Sequence, residues 1–212
     1  EVVKRYHNYV KDWEIWNEVD LSFYCGTPDE YVSLLKAAYC EIKKIDPEAR
    51  VYYGGSCMCP YFAEKVMENY GENYFDILAV HYYTPPPNIA TIFDRISYGH
   101  SLHLFKKFNF YRPIICTEGS IYRYDKRYGA ATDPTGRRVS DIIKIYALLP
   151  RYNIKRFHWF APWGISTIGK RDRKVRPMPA AVGFAVASSV LENFKYVGML
   201  ELSPDITACL YE

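Results

Sequence analysis

The sequence predicts an α/β fold, a parallel sheet with its helices packed outside. Three observations predict it. Strand-like and helix-like stretches alternate five times along the chain. The third and fourth strand-like stretches, residues 75–83 and 113–117, are nearly unbroken apolar runs, as expected for strands buried on both faces of a parallel sheet. Repeated βα units make either a barrel or an open doubly wound sheet, and since neither GxGxxG nor GxxxxGKS/T follows any strand, the nucleotide-binding open sheet is argued against.

Residues 12–18 (DWEIWNE) are a short aromatic and β-branched run, the first strand. Thr27 then reads as a helix N-cap, with Pro28 at the first helical position and Glu30 three residues after the cap, the spacing of a capping box. The helix runs from about 28 to 45, with Tyr31, Leu34, Leu35, Ala38 and Ile42 on one face, and Asp46-Pro47 ends it. Residues 50–53 form the second strand, closed by Gly54-Gly55, and 61–70 the second helix. The third strand (75–83) runs into Thr84 and three prolines, which force a loop, and a third helix lies within 89–108. The fourth strand (113–117) runs into Glu118-Gly119. After the polar loop 122–138 comes a helix over about 139–152. The fifth strand, 155–160, precedes Pro162-Trp163-Gly164, and the fifth helix lies within 179–193. The tail, 195–212, alternates like β-strands.

Composition narrows the class of function. About half the chain is apolar (49%), enough for a sizeable core, and the net charge of +3 is spread thinly, which argues against a nucleic-acid partner. The one basic cluster, residues 169–174, is short and contains an acid, so it reads as a solvated loop. No apolar run is long enough to span a bilayer. The six cysteines show no zinc spacing, and Cys40 and Cys116 read as small core residues. With 21 Tyr, 11 Phe and 4 Trp, the chain is rich in rings that stack on the C–H faces of sugars, although an aromatic core explains the same composition.

In α/β barrels the active site lies at the C-terminal ends of the strands. The polar residues there are Asn17 and Glu18, then His81, Tyr82 and Tyr83, then Thr117 and Glu118, then His158 and Trp159. Glu18 and Glu118 each close an apolar run, where a carboxylate is costly unless paired or hydrogen-bonded. Glu14, four positions before Glu18 and on the same face, is expected to sit too deep for catalysis and to pair with an Arg in the barrel interior.

Residues 13–18 (WEIWNE) resemble the strand-four motif of clan A glycoside hydrolases. Asp20, Phe23-Tyr24, Gly26-Thr27 and Tyr31 resemble the same segment of the β-xylosidase and α-L-iduronidase group, family 39. Residues 115–119 (ICTEG) resemble that group's strand-seven Thr-Glu motif. The resemblance implies a partial (β/α)8 barrel, strands four to eight, over residues 1–194; the alternating tail, 195–212, reads as the beginning of a β-rich accessory domain. It implies a retaining glycosidase with Glu18 as acid/base and Glu118 as nucleophile, a pair whose carboxyl groups stand about 5–5.5 Å apart. It implies that Asn17 binds the sugar 2-hydroxyl, that His81 and Tyr83 are the strand-six His-x-Tyr pair, and that Trp159, with Trp163 as a rival, floors the sugar subsite. The implied partner is a carbohydrate; no cofactor and no metal are implied.

Val19 departs from the proline that follows the acid/base in many members of the group. Strands one to three of such a barrel are not in this sequence, so the chain reads as a fragment, unstable and inactive by itself, with open sheet edges. Two other readings are weaker. A metal-dependent barrel isomerase would need more Asp, Glu or His at the strand ends. A non-catalytic carbohydrate-binding barrel would be expected to have lost one of the two glutamates.

Overall fold

The computed structural model describes residues 1–56, 60–84, 102–121, 137–160, 166–168, 175–177, 179–203 and 206–212. After a short helix α1 (Val2–Tyr6), these residues alternate β1 (Asp12–Ile15), α2 (Pro28–Ile45), β2 (Arg50–Ser56), α3 (Pro60–Glu68), β3 (Ile77–Thr84), α4 (Leu102–Phe108), β4 (Ile114–Ile121), α5 (Arg137–Leu148) and β5 (Ile154–Trp159). Strands β1 to β5 form one five-stranded sheet in chain order, and the β1–β2 and β2–β3 pairs are parallel. The fold class read from the sequence is the one observed.

The chain divides into two compact units, residues 1–82 with 102–118, and 83–84 with 119–212 among the described residues. In the first, α2 packs Tyr31, Leu35 and Ile42 inward, three of its five expected core positions, while Leu34 and Ala38 are half-buried. The Tyr31 ring meets Tyr53 of β2 edge-on at 5.4 Å, and Tyr53 meets Phe75 at 5.7 Å. Burial of side chains of this size stabilises by roughly 1.5–3 kcal/mol each. A second layer of Tyr52, Ile77, Ala79 and Ile115 fills the neighbouring space between β2, β3 and β4. Cys116 is buried as expected. Cys40 is exposed, because it lies on the solvent side of α2 rather than on the Tyr31–Leu35–Ile42 stripe.

The capping box at the start of α2 forms as read: the Glu30 N–H donates to Thr27 Oγ1 at 3.3 Å, and the Thr27 N–H donates to Glu30 Oε2 at 2.7 Å. Those bonds hold the Glu30 carboxyl below the usual range. Thr27→Ala is expected to cost about 1 kcal/mol of stability, read as a lower urea midpoint with an unchanged slope.

Strand β2 departs from a regular ladder where the site will need it. Tyr53 pairs with Leu78 and Ser56 with Val80, so Gly54 and Gly55 stand opposite Ala79 alone, a β-bulge. Their amides turn to side chains. Gly54 N–H donates to the Tyr31 hydroxyl and Gly55 N–H to Glu14 Oε1, each at 2.8 Å, while the Tyr31 hydroxyl donates to Ile15 O at 3.0 Å.

In the second unit, β5 continues from β4 through Phe160 N–H donating to Gly119 O at 2.8 Å. Helix α6 (Pro179–Leu191) packs on α5, and two antiparallel hairpins follow the sheet, β6 (Ser166–Ile168) with β7 (Val175–Pro177) and β8 (Tyr196–Ser203) with β9 (Ile206–Tyr211). The Tyr211 hydroxyl donates to Ala147 O at 2.6 Å, anchoring the last hairpin to α5. No described helix is long and apolar enough to cross a membrane.

Candidate active site

The first strand is shorter than the sequence suggests. It ends at Ile15, because Trp16 (φ 75°) and Glu18 (φ 46°) both take left-handed backbone conformations. Such conformations cost non-glycine residues about 1–2 kcal/mol each. Local contacts hold the turn: the Trp16 indole N–H donates to Phe23 O at 3.0 Å, its ring stands edge-on to Tyr24 at 5.6 Å, and Leu21 N–H donates to Glu18 O at 3.0 Å. Val19 is 1% exposed and anchors the turn in the core. Strain of this kind concentrates at functional sites.

The turn carries the Glu18 carboxylate to His81. Glu18 is 7% and His81 3% exposed, and Glu18 Oε1 lies 3.0 Å from His81 Nδ1. Glu118 extends from β4 and brings its Oε2 to 3.9 Å from the same nitrogen. One ligand atom from each of Glu18, His81 and Glu118 lies within 4.8 Å of the other two. Glu18 and Glu118, a hundred residues apart in sequence, therefore share one imidazole in the first unit. By distance alone the three could also ligate a cation. Zinc takes four ligands and hard cations six or more, so such a site needs partners beyond these three.

Glu14 lies beside this group and, contrary to expectation, is exposed rather than deep; the partners found for it are not an arginine. Its Oε1 accepts from Gly55 N–H at 2.8 Å and from the Thr117 hydroxyl at 3.0 Å, joining β1, β2 and β4, and it lies 3.8 Å from His81 Nε2. Gly55 is required by the same ring, because a Cβ there would overlap His81 Nε2. Beside it, a Cβ on Gly54 would overlap the backbone carbonyl of Ile15. Asp20 accepts from the Ser56 hydroxyl at 2.7 Å and ties the turn after Glu18 to the end of β2. Burial pushes the Cys116 thiol well above its ordinary range, in keeping with a packing role.

The other residues singled out from sequence fare differently. Asn17 is exposed in the turn just before Glu18. Tyr83 lies in β3, two residues past His81, but its side chain is outside the described part of the structure. Trp159 ends β5 in the second unit; its ring centroid is 6.3 Å from that of Phe157, and its buried indole N–H finds no acceptor among the described residues. Trp163 lies outside the described residues. Sequence reasoning missed the glycine pair, which it read only as the end of a strand, although two glycines after a buried aromatic run are a signal for close approach by another group.

No protein-family profile matches the sequence. A β-xylosidase from Caldicellulosiruptor saccharolyticus is 46% identical over 55 residues, which are 24% of this chain and 11% of that protein. Among solved structures, an α-L-arabinofuranosidase from Thermotoga maritima, in complex with arabinose, superposes with TM-score 0.62 at 14% identity, over 93% of this chain and 46% of its own. A family 128 endo-β-1,3-glucanase from Amycolatopsis mediterranei, bound to laminaritriose and laminaribiose, gives TM-score 0.63 at 14% identity, over 87% and 76%. A family 51 α-L-arabinofuranosidase from Bifidobacterium longum gives 0.59 at 13%, over 84% and 43%. The chain thus spans less than half the length of the two arabinofuranosidases. The fold is that of a partial (β/α)8 barrel, shared with these structures.

Proposed function

We propose that this chain carries the catalytic carboxylates of a retaining glycoside hydrolase, resembling the family 39 β-xylosidase and α-L-iduronidase group and acting on β-linked glycosides. The observation that carries the reading is the convergence of Glu18 and Glu118 on His81, with carboxylate oxygens within 4.8 Å of each other. Inverting enzymes keep their carboxyl groups roughly 6.5–9.5 Å apart to admit a water, whereas a retaining pair stands at about 5–5.5 Å. The β-xylosidase match and the glycoside hydrolase neighbours support the same reading.

In this reading Glu118 attacks the anomeric carbon while Glu18 gives its proton to the departing glycosidic oxygen. That step breaks the C–O bond and leaves a glycosyl ester on Glu118. Glu18, now ionised, takes a proton from water as the water attacks the same carbon, which frees the sugar and restores both carboxyl groups. Asn17 binds the sugar 2-hydroxyl, Tyr83 holds the nucleophile's charge, and Trp159 and Trp163 supply stacking surfaces. The barrel portion is residues 1–194, and 195–212 opens a β-rich segment.

The test is trapping. A 2-deoxy-2-fluoro β-xyloside with a dinitrophenolate leaving group forms the ester quickly and hydrolyses it slowly. The expected result is one added fluoro-sugar mass on the peptide containing Glu118, with β-xylose as the first-formed product of an ordinary aryl β-xyloside. A label on another residue, or α-xylose as first product, would sink the assignment.

A further inference from the structure

Glu18 holds a conformation that has to be enforced. At φ 46° it is left-handed, and a residue with a Cβ returns to negative φ unless its surroundings prevent it. Because the strain lies at Glu18 itself, such a relaxation would swing its side chain away from His81. The His81 ring holds the far end of that side chain, with Nδ1 3.0 Å from Oε1, and Val19 seats the next residue in the core. Asp20 holds the chain after it. Its Oδ2 accepts from the Ser56 hydroxyl at 2.7 Å, and Ser56 is 8% exposed, so this charge-assisted bond is little weakened by water.

Ser56 reaches Asp20 because β2 carries an extra residue. Side chains alternate along a regular strand, which would put Ser56 on the face of Tyr52, in the layer of Ile77, Ala79 and Ile115. The bulge changes the register: Ser56 pairs with Val80 as Tyr53 pairs with Leu78, so Ser56 shares the Tyr53 face. Tyr31 of α2 packs on that face, and Asp20 lies in the segment leading into α2. Val80 is followed directly by His81. The Asp20–Ser56 bond therefore ties the turn bearing Glu18 to the strand pair bearing His81, on the other face of the sheet from the imidazole.

We propose that Asp20 and Ser56 are positioning residues for Glu18: their hydrogen bond holds the left-handed turn, and with it the carboxyl group that protonates the leaving oxygen. The proposal rests on the acid/base role proposed for Glu18. Neither residue exchanges a proton in the reaction; both act through the backbone of the turn.

The test compares Asp20→Ala and Ser56→Ala with Asp20→Asn, whose amide oxygen still accepts from Ser56, in the full protein. The quantity read is kcat/KM on phenyl and dinitrophenyl β-xylosides, which reports ester formation alone. Both alanine variants are expected to lose about 10- to 100-fold on the phenyl glycoside, the scale of a displacement of about 1 Å. On the dinitrophenyl glycoside, whose leaving group departs without a proton, they should lose less than about threefold. Asp20→Asn should stay within about threefold of the parent on both. Loss of scaffold alone would lower both substrates together. Equal losses on the two glycosides therefore overturn the proposal, as does an undiminished phenyl rate in the alanine variants or an Asp20→Asn loss as large as that of Asp20→Ala. Should Asp20→Ala fail to fold, Ser56→Ala, which removes a single hydroxyl, decides by itself. A second readout needs no turnover. The Leu21 amide, bonded to Glu18 O at 3.0 Å, should exchange its proton roughly tenfold faster in Ser56→Ala, with the amides of α2 unchanged. Unchanged exchange at Leu21 overturns the proposal. If the parent turns over no β-glycoside, the functional reading fails, and the exchange rate still decides whether Asp20 and Ser56 hold the turn.

Discussion

Replacing Glu118 with glycine is expected to lower turnover of an activated aryl β-glycoside by roughly 10⁴- to 10⁶-fold, the scale seen when a covalent nucleophile is removed. Azide should then restore part of the rate by entering the space left by the carboxylate. Because azide would attack from the side Glu118 occupied, the product should be the α-glycosyl azide. Glu18→Ala should behave in a contrasting way. An activated leaving group departs without a proton, so the ester still forms, but substrates with poor leaving groups should lose about 10²- to 10⁴-fold. Azide attacking that ester should give the β-glycosyl azide. The two anomers, distinguished by proton coupling constants, assign the carboxylates independently of rates. An α product from both variants, or a β product from Glu118→Gly, would show that the roles have been assigned wrongly.

The second large effect is expected at Gly55. An added methyl there would overlap Nε2, Cδ2 and Cε1 of His81, a ring with no room to retreat. Forcing a methyl into packing of this kind costs about 1–3 kcal/mol. The ring that yields is also the one on which Glu18 and Glu118 converge, so Gly55→Ala should lose at least tenfold in kcat beyond any loss of folded protein. Gly54→Ala provides the contrast, because its methyl would meet the Ile15 carbonyl and should mainly lower stability. A double-mutant cycle identifies the cause. Trimming His81 to alanine removes the obstacle, so Gly55→Ala should cost much less stability in the His81→Ala background than in the parent. Additive losses in denaturation would mean that the glycine matters for some reason other than the ring.

Much of the fold was legible because local signals and tertiary packing agree. The capping box, the proline at the first helical position and the stripe of Tyr31, Leu35 and Ile42 all mark α2, and the structure forms each of them. The apolar run 75–83 became β3, with a short 3-10 turn at Gly71–Tyr74 before it. The hidden features are those that depend on distant residues. Nothing in DWEIWNE announces that the strand stops at Ile15, because Trp and Glu are poor candidates for positive φ; the turn is imposed by Val19 in the core and by the carbonyl of Phe23. The hairpin of Ser166–Ile168 with Val175–Pro177 flanks a basic stretch that read only as a loop, since three-residue strands are too short to show alternation. For the site, the meeting of Glu18, His81 and Glu118 could be anticipated from strand ends. The service of Glu14 and Gly55 to that meeting could not, since it depends on an extra residue in β2 whose effect is visible only in three dimensions.

That extra residue leaves two successive amides free of the sheet ladder, and they face different parts of the protein. Gly54 N–H answers to the hydroxyl of a helix residue, Tyr31, and Gly55 N–H to the carboxylate beside the imidazole. Their proton resonances are therefore a pair of built-in spectroscopic reporters, adjacent along the backbone yet wired to separate layers. Loosening of α2 would register at the first, and a change in charge or occupancy beside His81 at the second, so one amide spectrum would tell a damaged scaffold from a disturbed carboxylate cluster.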